Sequence, residues 1–117
     1  MENKYEVNSK IFKALSDPNR LKIIDILSYG EVCGCKILNY FKFTQPTLSH
    51  HMRVLIESGL VKARKEGTWN HYSLVDENTN KLVEFLKEIT IRTEKCENDD
   101  RDCICEENKI LKNGDLK

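Results

Sequence analysis

The chain has 117 residues, and its 19 Lys and Arg balance 19 Asp and Glu. That length suits a single domain and buries only about two-thirds of the unfolded surface, so pairing with a second copy would add stability. No run of about 18 apolar residues exists to cross a membrane, and the polar start Met1-Glu2-Asn3-Lys4-Tyr5-Glu6 lacks the apolar centre of a signal peptide, so a cytoplasmic location is expected.

In that compartment thiols stay reduced. Five cysteines, an odd number, then read as ligands or reactive thiols rather than as a disulfide framework. The neutral total hides an asymmetry. Residues 1–93 carry 14 Lys and Arg against 11 Asp and Glu, whereas residues 94–117 carry 5 against 8. A mildly basic body is cancelled by an acidic tail, and local fields rather than the sum steer a polyanion.

Residues 5–15 read as a first helix, with Ile11, Phe12 and Leu15 on one stripe. Asp17-Pro18 restarts the chain, the aspartate as N-cap and the proline in the first turn. A second helix runs through Ser28, with Leu21, Ile24 and Leu27 on one face and Ile23 beside it; Gly30 is the stop. A third, short helix is expected from Glu31 or Val32 to Tyr40, burying Ile37, Leu38 and Phe41. Thr44 opens a fourth, with Leu48, Met52, Leu55 and Ile56 as its apolar face and Gly59 as its end.

The period then changes from helical to alternating. Leu60–Arg64 and Trp69–Leu74 read as strands joined through Lys65-Glu66-Gly67. A last helix spans about Glu77–Thr93, with Leu82, Val83, Leu86 and Ile89 as its stripe. After Thr93 the charged, weakly apolar residues 94–117 are expected to form a flexible tail carrying Cys96, Cys103 and Cys105. Helices followed by a hairpin make a mainly α fold with a small β element, and the tight Lys42-Phe43-Thr44 link favours a winged helix-turn-helix.

On a helical wheel, His50, Arg53 and Pro46 lie opposite Leu48, with Thr47 on the flank, and Gln45 and Ser49 closer to the core side but near the N-terminal end. That end enters the major groove in helix-turn-helix proteins. Gln pairs with adenine, Arg with guanine, and Ser or Thr with base or phosphate. Gln45, Thr47, Ser49, His50 and Arg53 are therefore the candidate base and backbone contacts. On the hairpin, Lys62, Arg64 and Lys65 suit phosphate. His51 sits at the edge of the apolar face and is expected to pack or hydrogen-bond within the fold; Trp69 and His71 are expected to be structural.

Ala14-Leu15-Ser16-Asp17-Pro18-Asn19-Arg20-Leu21, Thr44-Gln45-Pro46-Thr47-Leu48-Ser49-His50-His51-Met52 and Arg64-Lys65-Glu66-Gly67-Thr68-Trp69-Asn70-His71-Tyr72-Ser73-Leu74 occur in this order. Together they resemble the ArsR/SmtB family of metal-sensing repressors over about residues 10–90. The resemblance implies a winged-helix homodimer joined through its first and last helices. It also implies a repressor that binds double-stranded operator DNA and leaves it when an inducer binds.

Thiolates select soft ions. Glu31-Val32-Cys33-Gly34-Cys35 resembles the cysteine motif of the arsenical-responsive branch, which implies As(III) or Sb(III) as inducer and no organic cofactor. A third cysteine three residues after the second is replaced here by Leu38, so the missing ligand is sought in Cys96, Cys103 or Cys105, in a partner subunit, in solvent or in a small thiol. Cys103-Ile104-Cys105 repeats the spacing of Cys33 and Cys35, and completion of one site or formation of a second stand equal. The zinc-sensing pattern needs a histidine on the last helix, and residues 76–93 hold none. The cadmium/lead pattern wants N-terminal cysteines, and residues 1–32 hold none.

If Cys33 and Cys35 both lie on a regular helix, their side chains point about 200° apart. Grasping one ion would then require the start of the third helix to unwind, or to be captured already frayed, with Gly34 lowering the cost. Three other functions compete: a thiol redox switch, a cadmium/lead-responsive repressor of the same fold, and a structural zinc protein using Cys33, Cys35, Cys103 and Cys105. No nucleophile constellation or phosphate-binding glycine loop argues for an enzyme.

Overall fold

The computed structural model describes residues 2–91. One compact unit ends at Val83; residues 84–91, the end of the last helix, are described by themselves. The order is α1 (Lys4–Ala14), α2 (Pro18–Leu27), β1 (Val32–Cys33), α3 (Gly34–Leu38), α4 (Gln45–Glu57), β2 (Val61–Glu66), β3 (Trp69–Leu74) and α5 (Asp76–Thr90).

Local chemistry sets the helix starts. Asn3 caps α1 in a reciprocal box: its Oδ1 accepts from the Glu6 amide at 2.9 Å, and the Glu6 carboxylate accepts from the Asn3 amide. Asp17 caps α2, its Oδ1 accepting from the amides of Asn19 at 2.7 Å and Arg20 at 3.3 Å. Burial opposes the Asp17 carboxylate, yet these amides and the charge of Arg20 hold its pKa below the ordinary value. Arg20 then ties three helices together. Its Nε donates to the Ala14 carbonyl at the end of α1, and its Nη1 lies 3.1 Å from His51 Nδ1 on α4.

Thr44 occupies the N-cap of α4, but its hydroxyl takes no backbone amide; it lies 3.4 Å from the Thr47 hydroxyl instead. Pro46 is accommodated in the first turn. Gly30 closes α2 with φ 127°, its amide reaching the Leu27 carbonyl. At the hairpin, Glu66 pairs with Trp69, so the turn is Gly67-Thr68 and Gly67 takes φ 66°. Lys65 and Glu66, expected in the turn, are instead the last residues of β2.

The sheet is antiparallel in the order β1-β3-β2. Val32 lies opposite Tyr72, and Tyr72 opposite Ala63; Cys33 lies opposite His71, and His71 opposite Arg64. Tyr72 is buried and Val32 packs against the core, so alternation puts the row Cys33, His71, Arg64 on the outer face. The core joins Ile23, Leu27, Ile37, Leu48, Met52, Leu55, Leu60, Val61, Tyr72 and Leu82, with Ile11, Phe12 and Leu15 of the α1 segment packed against it. Helices α2, α3 and α4 with the β2–β3 hairpin form a winged helix-turn-helix, as expected.

Several expectations are corrected. The third helix begins only at Gly34, because Val32 and Cys33 pair with β3 and form a short strand. Leu21 and Ile56, assigned to apolar faces, are exposed. On α5, Val83, Leu86 and Ile89 are exposed and Phe85 is buried in their place, three residues beyond Leu82. A wheel reports which residues share a stripe; which stripe is covered depends on the neighbours.

Candidate nucleic-acid interface and thiol site

The helix-turn-helix is α3, the Asn39–Thr44 link and α4. Aromatic contacts stiffen the link: Phe41 stacks on Phe43 with centroids 4.5 Å apart, and Phe43 tilts against the ring of His51 at 5.4 Å. Lys22 on α2 places its Nζ 5.1 Å above the Phe41 ring and donates to the Tyr40 carbonyl. The link is thus held from both sides, and α4 inherits a defined angle.

On α4, Leu48, Met52 and Leu55 point into the core. Gln45, Pro46, Ser49, His50 and Arg53 are exposed, and Thr47 is half-buried. Gln45, Thr47, Ser49, His50 and Arg53 therefore crowd the N-terminal and outward part of this helix. His51 is buried and does not belong with them. Arginine can only donate, so His51 Nδ1 is the acceptor and the imidazole is neutral with its proton on Nε2. Burial lowers the His51 pKa; Asp17 acts against the shift, and Arg20 and His50 add to it.

The three wing cations differ. Lys62 and Lys65 are exposed and form no salt bridge among the described residues. Arg64 is already engaged. Its Nε and Nη2 donate to the two oxygens of Glu31 at 3.2 and 2.7 Å, and its Nη1 donates to Glu66 at 2.5 Å. The guanidinium holds both carboxylates below their ordinary pKa. Two carboxylates around one guanidinium leave the cluster net negative, so a phosphate would have to compete for Arg64. This cluster was not legible beforehand: residues 31 and 64 are joined only by sheet register.

Cys33 and Cys35 are half-buried free thiols. Cys33 is the extended residue that caps α3 (φ −64°, ψ 140°), and its Sγ accepts from the Cys35 amide at 3.3 Å. The Cys35 thiol donates toward Cys33 and lowers its pKa; burial opposes, and the amides of Cys35 and Lys36 with the Lys36 charge assist. The same bond raises Cys35. The pair as a whole yields its first proton more readily than an ordinary thiol and its second less readily.

This arrangement corrects the expectation that the two side chains diverge on a regular helix. Cys33 stands outside the helix as its cap, with its Sγ on the Cys35 amide, so the helical divergence of about 200° does not apply to the pair. Gly34 also has a different role. It is buried, and a Cβ there would come 3.3 Å from the Tyr72 ring, 3.4 Å from the Asn70 carbonyl oxygen and 3.4 Å from the Trp69 ring. Glycine lets the corner lie flat on β3. Among the described residues no group of three or more His, Cys, Asp or Glu is arranged to hold a metal ion. Cys96, Cys103 and Cys105 lie outside the described residues. No helix of the described residues is long and apolar enough to cross a membrane.

Residues 17–63 match the family described as bacterial regulatory protein, arsR family. The chain is 43% identical over 111 residues to an arsenical resistance operon repressor of Staphylococcus xylosus, covering 95% of this chain and 97% of that protein. It is 47% identical over 87 residues to an uncharacterized HTH-type transcriptional regulator of Methanocaldococcus jannaschii (74% of this chain, 98% of that one). A cadmium resistance regulatory protein homolog of Staphylococcus aureus shares 48% over 77 residues (65% and 64%). Among solved structures, a possible transcriptional regulator for arsenical resistance superposes with a TM-score of 0.65 at 26% identity, over 71% of this chain and 86% of that one. A homodimeric winged helix-turn-helix domain from Mycobacterium bovis superposes at 0.61 and 29% identity (73% and 79%). With its recognition helix, its wing and these relatives, the chain belongs to the ArsR family of DNA-binding transcriptional regulators and is not an enzyme.

Proposed function

We propose that this repressor is induced by a trivalent metalloid, As(III) or Sb(III), bound through the thiolates of Cys33 and Cys35. The observation that carries the reading is the pair of half-buried free thiols at the corner that opens the helix-turn-helix, with Cys33 Sγ on the Cys35 amide. Soft trivalent ions prefer thiolate donors, and one of these thiols gives up its proton more easily than usual. A third donor comes from Cys96, Cys103, Cys105, a partner subunit or a small thiol.

The operator is read by Gln45, Thr47, Ser49, His50 and Arg53 in the major groove, with Lys62 and Lys65 on phosphates and Arg64 nearby. The protein works as a homodimer through α1 and α5. Tyr5 and Val7 on α1, and Val83, Leu86 and Ile89 on α5, are exposed apolar side chains that a second copy would cover. The M. bovis relative, described as a homodimer, supports this.

The deciding experiment titrates operator release with arsenite, antimonite, cadmium, lead and zinc. It compares the natural protein with Cys33→Ser, Cys35→Ser and a triple serine variant of Cys96, Cys103 and Cys105. Release by arsenite and antimonite, lost in either Cys33→Ser or Cys35→Ser, is expected. Release by zinc alone overturns the reading. Release by cadmium alone would favour the behaviour named for the S. aureus cadmium regulator homolog.

A further inference from the structure

We infer that Glu31 is a positioning residue that links the state of the Cys33–Cys35 corner to the wing through its grip on Arg64. The inference rests on the thiol-inducer reading above.

Glu31 stands two residues before Cys33 on the segment that becomes β1, so alternation puts both on the outer face of the sheet. Its carboxylate crosses β3 and takes two hydrogen bonds from Arg64 on β2. Between them lies His71, which pairs with Cys33 on one side and Arg64 on the other. β1 is only two residues long and has two register pairs with β3. Backbone pairing therefore gives the corner a weak hold on the wing. The fork of Glu31 on Arg64 is the side-chain bond that joins the outer two strands directly, and its geometry is directional. Gly34 lying against Tyr72, Asn70 and Trp69 adds contact of shape without a bond.

On this inference a ligand held by both sulfurs shifts the Cys33 backbone. Glu31 moves with it, and Arg64 must either follow or let go. Either response changes the wing, because Arg64 also holds Glu66 beside the hairpin turn. The ion pair is exposed, so it adds little to stability; its value is the connection.

Trp69, the single tryptophan, pairs with Glu66 at the end of the wing and lies against Gly34. It reports wing motion directly. The experiment compares the natural protein with Glu31→Gln, using arsenite as probe. Arsenite binding is read from thiolate-to-arsenic absorbance, the wing from Trp69 emission, and coupling from the ratio of operator affinities without and with saturating arsenite. In the natural protein that ratio should fall within the range usual for coupled sites, roughly 5- to 150-fold. Glu31→Gln should bind arsenite with unchanged stoichiometry, hold operator within about fivefold without arsenite, and show a ratio falling toward one with a muted Trp69 response. The exchange Glu31→Arg with Arg64→Glu should restore the Trp69 response that either single change removes.

An unaltered ratio and Trp69 response in Glu31→Gln overturns the coupling alone. Failure of the natural protein to bind arsenite overturns the thiol-inducer reading and this inference with it.

Discussion

His51 Nδ1 accepts a hydrogen bond from Arg20 Nη1 at 3.1 Å, which locks a neutral imidazole into the joint between α2 and α4. Burial depresses the His51 pKa, Asp17 partly offsets this, and Arg20 and His50 reinforce it. An unfolded chain takes up this proton near pH 6.5, but the fold resists it. Stability from this group is therefore full above about pH 6.5 and is lost as pH falls from there through the lower folded value. Denaturant midpoints at pH 7.5 and 5.5 should show the loss. His51→Gln should be less stable at the higher pH and should lose less on acidification than the natural protein.

Asp17 is worth testing separately because two amides depend on its carboxylate. Asp17→Ala should cost about 1–2 kcal/mol, the usual range for losing a good cap. Asp17→Asn should cost less, since an amide oxygen still accepts. Equilibrium urea unfolding with an unchanged m-value would measure both.

Gly34→Ala weighs two effects. Alanine favours a helix over glycine by up to about 1 kcal/mol, but Gly34 is at the first helical position, where that gain is small. Against it stand Tyr72, the Asn70 carbonyl and Trp69, all at 3.3–3.4 Å from the new carbon. Crowding should win, with a net loss of about 1 kcal/mol and a shift in Trp69 emission. A more stable protein with unchanged emission would show that the corner yields freely.

Operator binding should separate the helix from the wing. Arg53→Ala should weaken binding by about 1–3 kcal/mol and relax preference at one base pair if it reads guanine. Lys65→Ala should weaken all sequences alike and reduce the salt dependence of log Kd by about one. Measurement across operator variants at several salt concentrations distinguishes the two.

Much of the architecture was legible in the residues. Asp17-Pro18, Gly30 and Gly59 are local devices whose conformational demands act over three or four residues, and each stands where expected; Gly67 takes the expected positive φ, but the turn is Gly67-Thr68 and not Lys65-Glu66-Gly67. The outward placement of His50 and Arg53 followed from Leu48, Met52 and Leu55, since helical period alone relates them; Gln45 and Ser49, expected closer to the core side, are exposed as well. That His51 turns into the fold was also readable from its place at the edge of that face.

The thiol corner was not. Periodicity cannot identify a two-residue strand, and Val32 and Cys33 read equally well as a first helical turn. Pairing with Tyr72 and His71, about forty residues on, decided that they are extended. That pairing took Cys33 out of the helix and gave Gly34 a packing role. It also brought Glu31 to Arg64. The sequence by itself determined the order of elements, the DNA-facing helix and the presence of two thiols ahead of it, because those depend on local propensity and period. Only the tertiary structure decided that Cys33 lies on a strand and caps the helix that carries Cys35, because strand register is a long-range choice made by burying Tyr72.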